Sequence, residues 1–401
     1  MIRYIKDISF GLFSLITAFS YAIFMLLQSA LGFSIAGGAF AIFSVFVTGG
    51  VLLFFIGNMS KMPGAVTRNT LFIVTIIIGL YYLTHLFYGY EHPLYKSHML
   101  AMGVRFLPAV LMGAVMTTRA GTLEKVEKAL LPFMLFFTIV LARIVFSVSA
   151  SSFASETNME AYRQEETGLG YQQISYYSIY AFGMTLYLMV YGHFGKWVKR
   201  AVIACAFLQL YMCIATGGRG ALVLGVAMAL YYGMKNLNSK TLFQYIILGV
   251  FAMIVMSVFF FGDARIEHGL NRLLGFFGDK DAVSDDNRWE RWSYAWESFK
   301  ASPLFGHGIG SVFYEVGFYS HNIFMDLLCE GGLIAPLIFI IILKRFYTKI
   351  TSLISIDKRY EIFVIIFLCS FVNILFSGYY LSQTAMWLSL SFILNTRLYR
   401  Q

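Results

Sequence analysis

The stretch Leu130–Ala150, LLPFMLFFTIVLARIVFSVSA, has a single charged residue, Arg143, among its 21 positions. An α-helix needs about 20 predominantly apolar residues to cross the hydrocarbon core of a bilayer. Because the stretch has that length and almost no charge, it predicts a membrane-spanning helix.

Similar apolar runs recur from one end of the chain to the other. The 401 residues are 59% hydrophobic and 13% charged, whereas a soluble protein carries about 25% charged residues. The sequence therefore predicts an all-α polytopic membrane protein. Twelve candidate spans lie at roughly 10–30, 35–56, 70–90, 99–117, 130–150, 174–192, 200–215, 218–234, 241–262, 322–343, 359–377 and 381–396.

The Lys and Arg residues predict the orientation of the chain. Of the 30, 19 lie in loops on the side of the N-terminus, nine on the opposite side, and two, Arg105 and Arg143, within spans. Because cytoplasmic loops are enriched in Lys and Arg, both termini are predicted to be cytoplasmic. The first apolar run is too long for a signal peptide, so it is predicted to be an anchor. The bases lie in short loops, so the net charge of +9 does not indicate nucleic-acid binding.

Two polar loops are predicted on the outer side, at about 151–173 and 263–321. The second is far longer than a connection requires, and such loops are usually functional. Its nine acidic and six basic residues predict a solvated, folded cap. The predicted organisation is nine spans in residues 1–262, a large periplasmic loop in 263–321 and three spans in 322–401.

A helix with an aromatic face is predicted at Arg288–Lys300, inside the long loop. Polar capping residues precede it and Pro303 follows it. A face of this kind is predicted to lie in the membrane interface, with Arg288 and Arg291 beside it at the depth of lipid phosphates. Four aromatic residues at spacings of 3, 4 and 3 form the face: Trp289, Trp292, Trp296 and Phe299.

Two polar residues at predicted span ends carry side chains suited to chemistry. Arg219 follows two glycines, where backbone can approach a ligand closely, and a guanidinium can bind phosphate oxygens in pairs. The alternative is an interfacial Arg whose charge extends to water. His321 lies between Ser320 and Asn322, and a histidine side chain is a natural general base. The alternative is a hydrogen-bonded histidine at the interface.

Arg105 and Arg143 are the two charges within predicted spans, and an ionisable residue inside a membrane is a functional candidate by default. The alternative is a buried structural pair. The four cysteines lie in apolar runs without metal or disulfide spacing, so they are predicted to be small buried hydrophobes. No metal site is predicted.

Three stretches together resemble the O-antigen ligase and polymerase superfamily, which are integral-membrane glycosyltransferases of bacterial polysaccharide assembly. Thr216–Leu222, TGGRGAL, is similar to an Arg-Gly element that opens a span in that family. Arg288–Gly310 is similar to its Arg-then-Trp helix followed by Pro-x-x-Gly-x-Gly. Ser320–Phe324 with Glu330–Gly332 is similar to its His-Asn element followed by Glu-x-Gly. The stretches occur in the family's order, and they cover the C-terminal half of the chain.

The resemblance implies a fold similar to the GT-C glycosyltransferases, with about twelve transmembrane helices and a long periplasmic loop that contains amphipathic helices. It implies glycan transfer from an undecaprenyl-diphosphate-linked donor at the periplasmic face of the bacterial inner membrane, without a metal or cofactor. His321 would activate the acceptor hydroxyl, and Arg219 and Arg288 would stabilise the diphosphate leaving group. Further substrate contacts are predicted at Arg291, Arg105, Arg143 and Asn322. Glu330 is interpreted as structural.

The acceptor distinguishes two enzymes that share these motifs. A polymerase extends another lipid-linked glycan, whereas a ligase transfers the glycan to lipid A–core. The resemblance implies a longer segment before the histidine in many ligases, whereas only ten residues separate Gly310 from His321 here. The short segment favours the polymerase, with the ligase as the alternative. A chain-length regulator and membrane lipids are further candidate partners. A transporter is a third hypothesis, but transporters have similar halves and a midplane site, whereas the charges here gather at one face.

Overall fold

The computed structural model describes residues 2–31, 38–88, 93–147, 171–235, 288–315, 319–376 and 378–397. These residues fold into α-helices and short 3-10 turns, with no β-strand among them. The α-helices are α1 Ile2–Ala18, α2 Ser20–Leu31, α3 Gly38–Asn58, α4 Gly64–Tyr88, α5 Pro93–Met116, α6 Thr122–Ser147, α7 Tyr171–Tyr191, α8 Lys196–Ala215, α9 Arg219–Lys235, α10 Arg288–Ala301, α11 Ser311–Glu315, α12 Ile323–Gly331, α13 Ile334–Ile356, α14 Glu361–Phe376 and α15 Thr384–Asn395.

The predicted helical membrane protein is confirmed. Within the described part of the chain, four segments are long and apolar enough to cross a bilayer, and a bent pair of helices would make a fifth: Ile42–Lys61, Thr122–Ser147, Lys196–Ala215, Lys358–Phe376, and the pair Asp7–Ala18 with Ser20–Ser29. The count of twelve spans stays a prediction. The predicted ninth span, residues 151–170 of the first outer loop, and residues 263–287 and 316–318 of the second lie outside the described residues.

Two predicted spans differ from single straight helices. The run at 10–30 is divided into α1 and α2, which meet at an angle of 86°. The run at 322–343 is divided into α12, which ends at Gly331, and α13, which begins at Ile334. The physical reason lies at Gly332, whose φ is 56°. A Cβ there would collide with the backbone of Leu304, so the chain turns around a docked loop instead of continuing the helix.

The described chain forms two compact units. The first contains residues 1–20, 37–128 and 284–401, and the second contains residues 21–36 and 129–283. The first unit therefore holds α10 to α15 together with α1 and α3 to α5, and the second holds α7 to α9.

Close helix packing in the first unit depends on small residues. Gly113 of α5 faces α15, where an added Cβ would lie 2.6 Å from the carbonyl oxygen of Leu388. The Ser391 hydroxyl of α15 donates to the Val110 carbonyl oxygen at 2.7 Å. The Thr384 hydroxyl of α15 donates to the Ala18 carbonyl oxygen at 2.6 Å. Small residues and cross-helix hydroxyl bonds are the usual basis of helix association in membranes.

A buried amide connects three helices in the second unit. Gln209 of α8 donates through Nε2 to the Thr138 hydroxyl of α6 at 2.7 Å. Its Oε1 accepts from the Thr185 hydroxyl of α7 at 2.9 Å. Because a buried polar group is costly unless it is bonded, this satisfied network fixes the mutual register of the three helices.

Candidate active site around His321

Helix α10 packs on α12, and this contact positions the candidate site of the first unit. The predicted helix is confirmed, since α10 runs from Arg288 to Ala301. Ala295 is fully buried, and the Cys329 thiol of α12 donates to the Ser298 hydroxyl at 3.3 Å. Positions 291, 295 and 298 follow helical spacing, so the same face carries Arg291 towards the start of α12.

The side chains on the aromatic face of α10 differ in their exposure. Trp289 and Trp296 are exposed by 57% and 44%, as expected for side chains at a membrane interface. Trp292 is half-buried, and its indole nitrogen donates to the Ser320 carbonyl oxygen at 2.9 Å. The position of the aromatic face in the membrane interface stays a prediction, and Trp292 also holds the turn before α12.

The Ser320–Asn322 turn is held from several directions. The Ser320 backbone N–H donates to Asp326 Oδ1 at 2.8 Å, its hydroxyl donates to the Asn322 carbonyl oxygen at 2.9 Å, and Trp292 holds its carbonyl. Between these anchors His321 has a φ of 63°, in the left-handed region. That conformation is uncommon for a residue with a side chain and persists only where the surroundings enforce it. Backbone strain therefore accompanies the exact residue that the sequence predicts as the base.

The imidazole of His321 lies beside a cation. Arg291 Nη1 and His321 Nε2 are 2.6 Å apart, and the Tyr319 ring meets the imidazole edge to face at a centroid distance of 4.6 Å. His321 is half-buried. The site thus joins a titratable ring, a guanidinium and an aromatic surface at the N-terminal end of one helix.

Asn322 is the N-cap of α12. Its side-chain oxygen accepts hydrogen bonds from the backbone N–H groups of Phe324 at 2.9 Å and Met325 at 3.4 Å. Such a cap contributes about 1 kcal/mol to helix stability. The predicted substrate contact of Asn322 stays a prediction, and the amide oxygen is already engaged by the helix.

The C-terminal end of α12 is fixed by Glu330. This carboxyl group is buried, and each oxygen accepts one phenol hydrogen bond at 2.6 Å, from Tyr379 and from Tyr380. Its backbone carbonyl accepts from the Gly308 N–H at 2.7 Å. The contacts agree with the structural interpretation of Glu330.

The glycine turn before α11 docks on that same end of α12. Gly306, Gly308 and Gly310 all have positive φ, which glycine adopts without a steric cost. A Cβ on Gly306 would collide with the backbone of Glu330. His307, between these glycines, donates its backbone N–H to the Cys329 carbonyl oxygen, and its Nε2 lies 2.9 Å from the Ser298 carbonyl oxygen.

The remaining predicted residues are divided between the units. Arg288 is the first residue of α10, one helical turn before Arg291, and it is half-buried. Arg105 is half-buried on α5 in the first unit. Arg219 is exposed at the first residue of α9, and Arg143 is exposed on α6, both in the second unit. The structure therefore brings His321, Arg291 and Asn322 together, with Arg288 a turn away. The convergence of Arg219 with them stays a prediction.

Local packing explains the glycines before Arg219. A Cβ on Gly218 would collide with the Ser175 hydroxyl, and that hydroxyl bonds the Thr216 hydroxyl at 2.6 Å. The glycine therefore lets α7 approach the start of α9, and this contact positions the backbone of Arg219.

Sequence reasoning missed three residues that shape the site. Asp326 holds the Ser320 N–H, Trp292 holds the Ser320 carbonyl, and Tyr319 contacts the imidazole. Asp326 had a signal in the sequence, because it and Glu330 are the two acidic residues in an otherwise apolar run that follows Asn322. Among the described residues no three His, Cys, Asp or Glu side chains are grouped for a metal ion.

Two surface cavities of the first unit lie elsewhere. Their volumes are about 370 and 420 Å³, and their linings include Lys349 and Arg397 in one and Lys61 and Arg119 in the other. Neither lining contains a residue of the His321 site.

Comparison with known proteins gives one family. Residues 204–340 match the family described as O-antigen ligase. The matched range includes Arg219, Arg288, Arg291 and His321. No curated protein and no solved structure matches the chain.

Proposed function

We propose that the chain, whose residues 204–340 match the family described as O-antigen ligase, is a membrane glycosyltransferase that uses an undecaprenyl-diphosphate-linked glycan. The reaction takes place at the periplasmic face of the bacterial inner membrane. The chain crosses the membrane about twelve times with both termini in the cytoplasm, and residues 263–321 form the periplasmic loop between spans nine and ten.

The observation that supports this function best is the pairing of a strained His321 with Arg291 at 2.6 Å. A base for the acceptor hydroxyl and a cation for the leaving group are needed within a few ångströms of each other. Arg288 lies one turn before Arg291 on α10, and in this proposal its guanidinium is a second cation for the leaving group. A purely interfacial histidine would not require an enforced left-handed backbone.

The proposed transfer balances without a metal ion. The acceptor hydroxyl oxygen forms a bond to the anomeric carbon of the donor glycan, and the hydroxyl proton passes to the imidazole of His321. The bond between that carbon and the diphosphate oxygen breaks, and the lipid diphosphate leaves with the electron pair. Arginines stabilise the charge that develops on the departing oxygen, which lowers the barrier because the charge is greatest in the transition state.

The other predicted residues complete the donor site in this proposal. Arg219 joins Arg288 on the leaving diphosphate, as their motifs imply. Arg105, Arg143 and Asn322 contact the substrates. The metal and cofactor are absent from the reaction as proposed, since guanidinium groups replace a divalent cation on the diphosphate.

The polymerase is favoured over the ligase because the segment between Gly310 and His321 is short, whereas the resemblance implies a longer segment there in many ligases. In this proposal the acceptor is a second lipid-linked repeat unit, and a chain-length regulator is the expected protein partner. The ligase, which would transfer to lipid A–core, is the second candidate.

Deletion of the gene followed by lipopolysaccharide electrophoresis tests both candidates. Core carrying one repeat unit is the result expected for a polymerase. Bare core with accumulated lipid-linked polymer would instead identify a ligase. Loss of lipid-linked precursor from the periplasmic leaflet, with normal transfer in a membrane extract supplied with donor, would overturn the enzyme proposal in favour of transport.

A further inference from the structure

The contact between Arg291 and His321 fixes which nitrogen of the imidazole can act. A guanidinium has only N–H donors and remains protonated, so it cannot accept a hydrogen bond. His321 Nε2, 2.6 Å from Arg291 Nη1, must therefore be the acceptor. An Nε2 that accepts is unprotonated, and its lone pair is already in use.

His307 is a control in the same unit, with the opposite arrangement. Its Nε2 faces the Ser298 carbonyl oxygen at 2.9 Å, and a carbonyl only accepts. His307 Nε2 therefore carries a proton and donates it. The two histidines lie near opposite ends of α12, and their partners select opposite roles for the same ring atom.

The backbones on both sides of the Arg291–His321 contact are anchored. α10 packs on α12, where the Cys329 thiol donates to the Ser298 hydroxyl, and the turn that carries His321 is held through Ser320. The imidazole packs edge to face against the Tyr319 ring and has fewer rotatable side-chain bonds than Arg291. The long Arg291 side chain is thus the part of the contact that can exchange partners.

We propose that Arg291 is a latch on the base: it occupies His321 Nε2 until the diphosphate of the donor draws the guanidinium away and frees that nitrogen to accept the acceptor proton. This inference rests on the proposed function. A guanidinium binds two anionic phosphate oxygens through a planar pair of charge-assisted bonds, which are stronger than one bond to a neutral ring. Arg288 is placed one turn away to bind the same diphosphate.

The latch gives the reaction a fixed order. Without donor, the base is occupied and an acceptor hydroxyl cannot lose its proton to Nε2. With donor bound, the same movement that frees the base places a cation on the leaving group. Arg291 is therefore a positioning residue for His321 before it becomes a contact of the donor.

The test measures the reactivity of Nε2 directly on the full chain in phosphate-free detergent. Diethyl pyrocarbonate acylates an imidazole nitrogen that has a free lone pair, and peptide mass spectrometry reports His321 and His307 separately. We expect geranylgeranyl diphosphate to accelerate labelling of His321 on the order of tenfold, as for release of one hydrogen bond from a charged donor, and to leave His307 unchanged. Slower or unchanged labelling of His321 would overturn the latch, because a simple binding site is protected by its ligand.

Two variants sharpen the test. Arg291→Met should label rapidly at His321 without any ligand and should lose the response to diphosphate. Arg288→Met is the matched control: His321 should stay slow without ligand, and its acceleration should require more diphosphate. Wild-type labelling of His307 in both variants shows that α10 remains docked on α12. Slow labelling of His321 in a docked Arg291→Met would also exclude the latch.

Three ligand arms identify the anion. Geranylgeraniol has the chain without the diphosphate and should have no effect, whereas inorganic pyrophosphate should act at higher concentration. Acceleration by phosphatidylglycerol equal to that by geranylgeranyl diphosphate would show that any phospholipid phosphate releases Arg291, and would overturn control by the donor. The latch and the proposed function fail separately. Retained polymer in His321→Ala cells refutes the function. Loss of polymer in those cells, together with labelling of wild-type His321 that does not respond to geranylgeranyl diphosphate, refutes only the latch.

Discussion

The two ends of helix α12 differ in how their polar groups are satisfied. At the C-terminal end, Glu330 is buried and both its oxygens are bonded by tyrosine hydroxyls. At the N-terminal end, His321 is half-buried, has a positive φ and faces a cation. A fully bonded buried network stabilises a fold, whereas a strained and partly exposed titratable group is typical of a reactive site. One nine-residue helix therefore has a structural end and a chemical end.

The largest effect is expected at the chemical end. Replacement of His321 by Ala should reduce glycan transfer by about 10²- to 10⁴-fold, the usual contribution of a general base, with little change in thermal stability. The measurement is lipid-linked polymer formation by purified protein, alongside melting in detergent. If His321→Ala turned over as fast as the wild type, the N-terminal end of α12 would not be a reactive site.

A smaller loss is expected for Arg288→Lys. Lysine keeps the charge but lacks the planar pair of donors, so the rate should fall by about 10²-fold if this guanidinium binds the leaving diphosphate. Arg288→Ala should be at least as impaired. Equal activity of the Lys variant and the wild type would mean that Arg288 only anchors α10 at the membrane surface.

At the structural end, Glu330→Ala should lower stability while sparing the intrinsic chemistry of molecules that remain folded. The variant leaves the Tyr379 and Tyr380 hydroxyls without their buried acceptor, which should lower the free energy of unfolding by about 2 to 4 kcal/mol. Melting temperature in detergent is the readout. Glu297→Gln is the matched control, because Glu297 is exposed and its pair with Lys300 should contribute less than about 1 kcal/mol. Equal melting of the two variants would contradict the structural interpretation of Glu330.

The smallest effect is expected at Asn322. Replacement by Ala removes the helix cap and should cost about 1 kcal/mol, whereas replacement by Ser retains a capping oxygen and should melt like the wild type. The Ser variant therefore separates the cap from the predicted substrate contact. A stable Asn322→Ser with impaired transfer would support that contact, and a stable, fully active one would exclude it.

The local elements were predictable because they depend on neighbours in the chain. The spacing of aromatic residues and the proline at 303 predict α10 closely, and the structure has it at Arg288–Ala301. Gly306, Gly308 and Gly310 occur in the family-like motif after Pro303, and all three have positive φ. Apolar length predicts helices of a membrane protein, though it does not reveal the turn at Gly332, which depends on the docked loop around Leu304.

The sequence by itself determined the class of protein, the family motifs and the residue types available for chemistry, because composition and short spacings carry that information. Only the tertiary structure decided that Arg291, 30 positions before His321, would bond its Nε2, and that Trp292 and Asp326 would hold the turn between them. These contacts join separate helices, and a hydrogen bond depends on ångström distances that residue order does not specify.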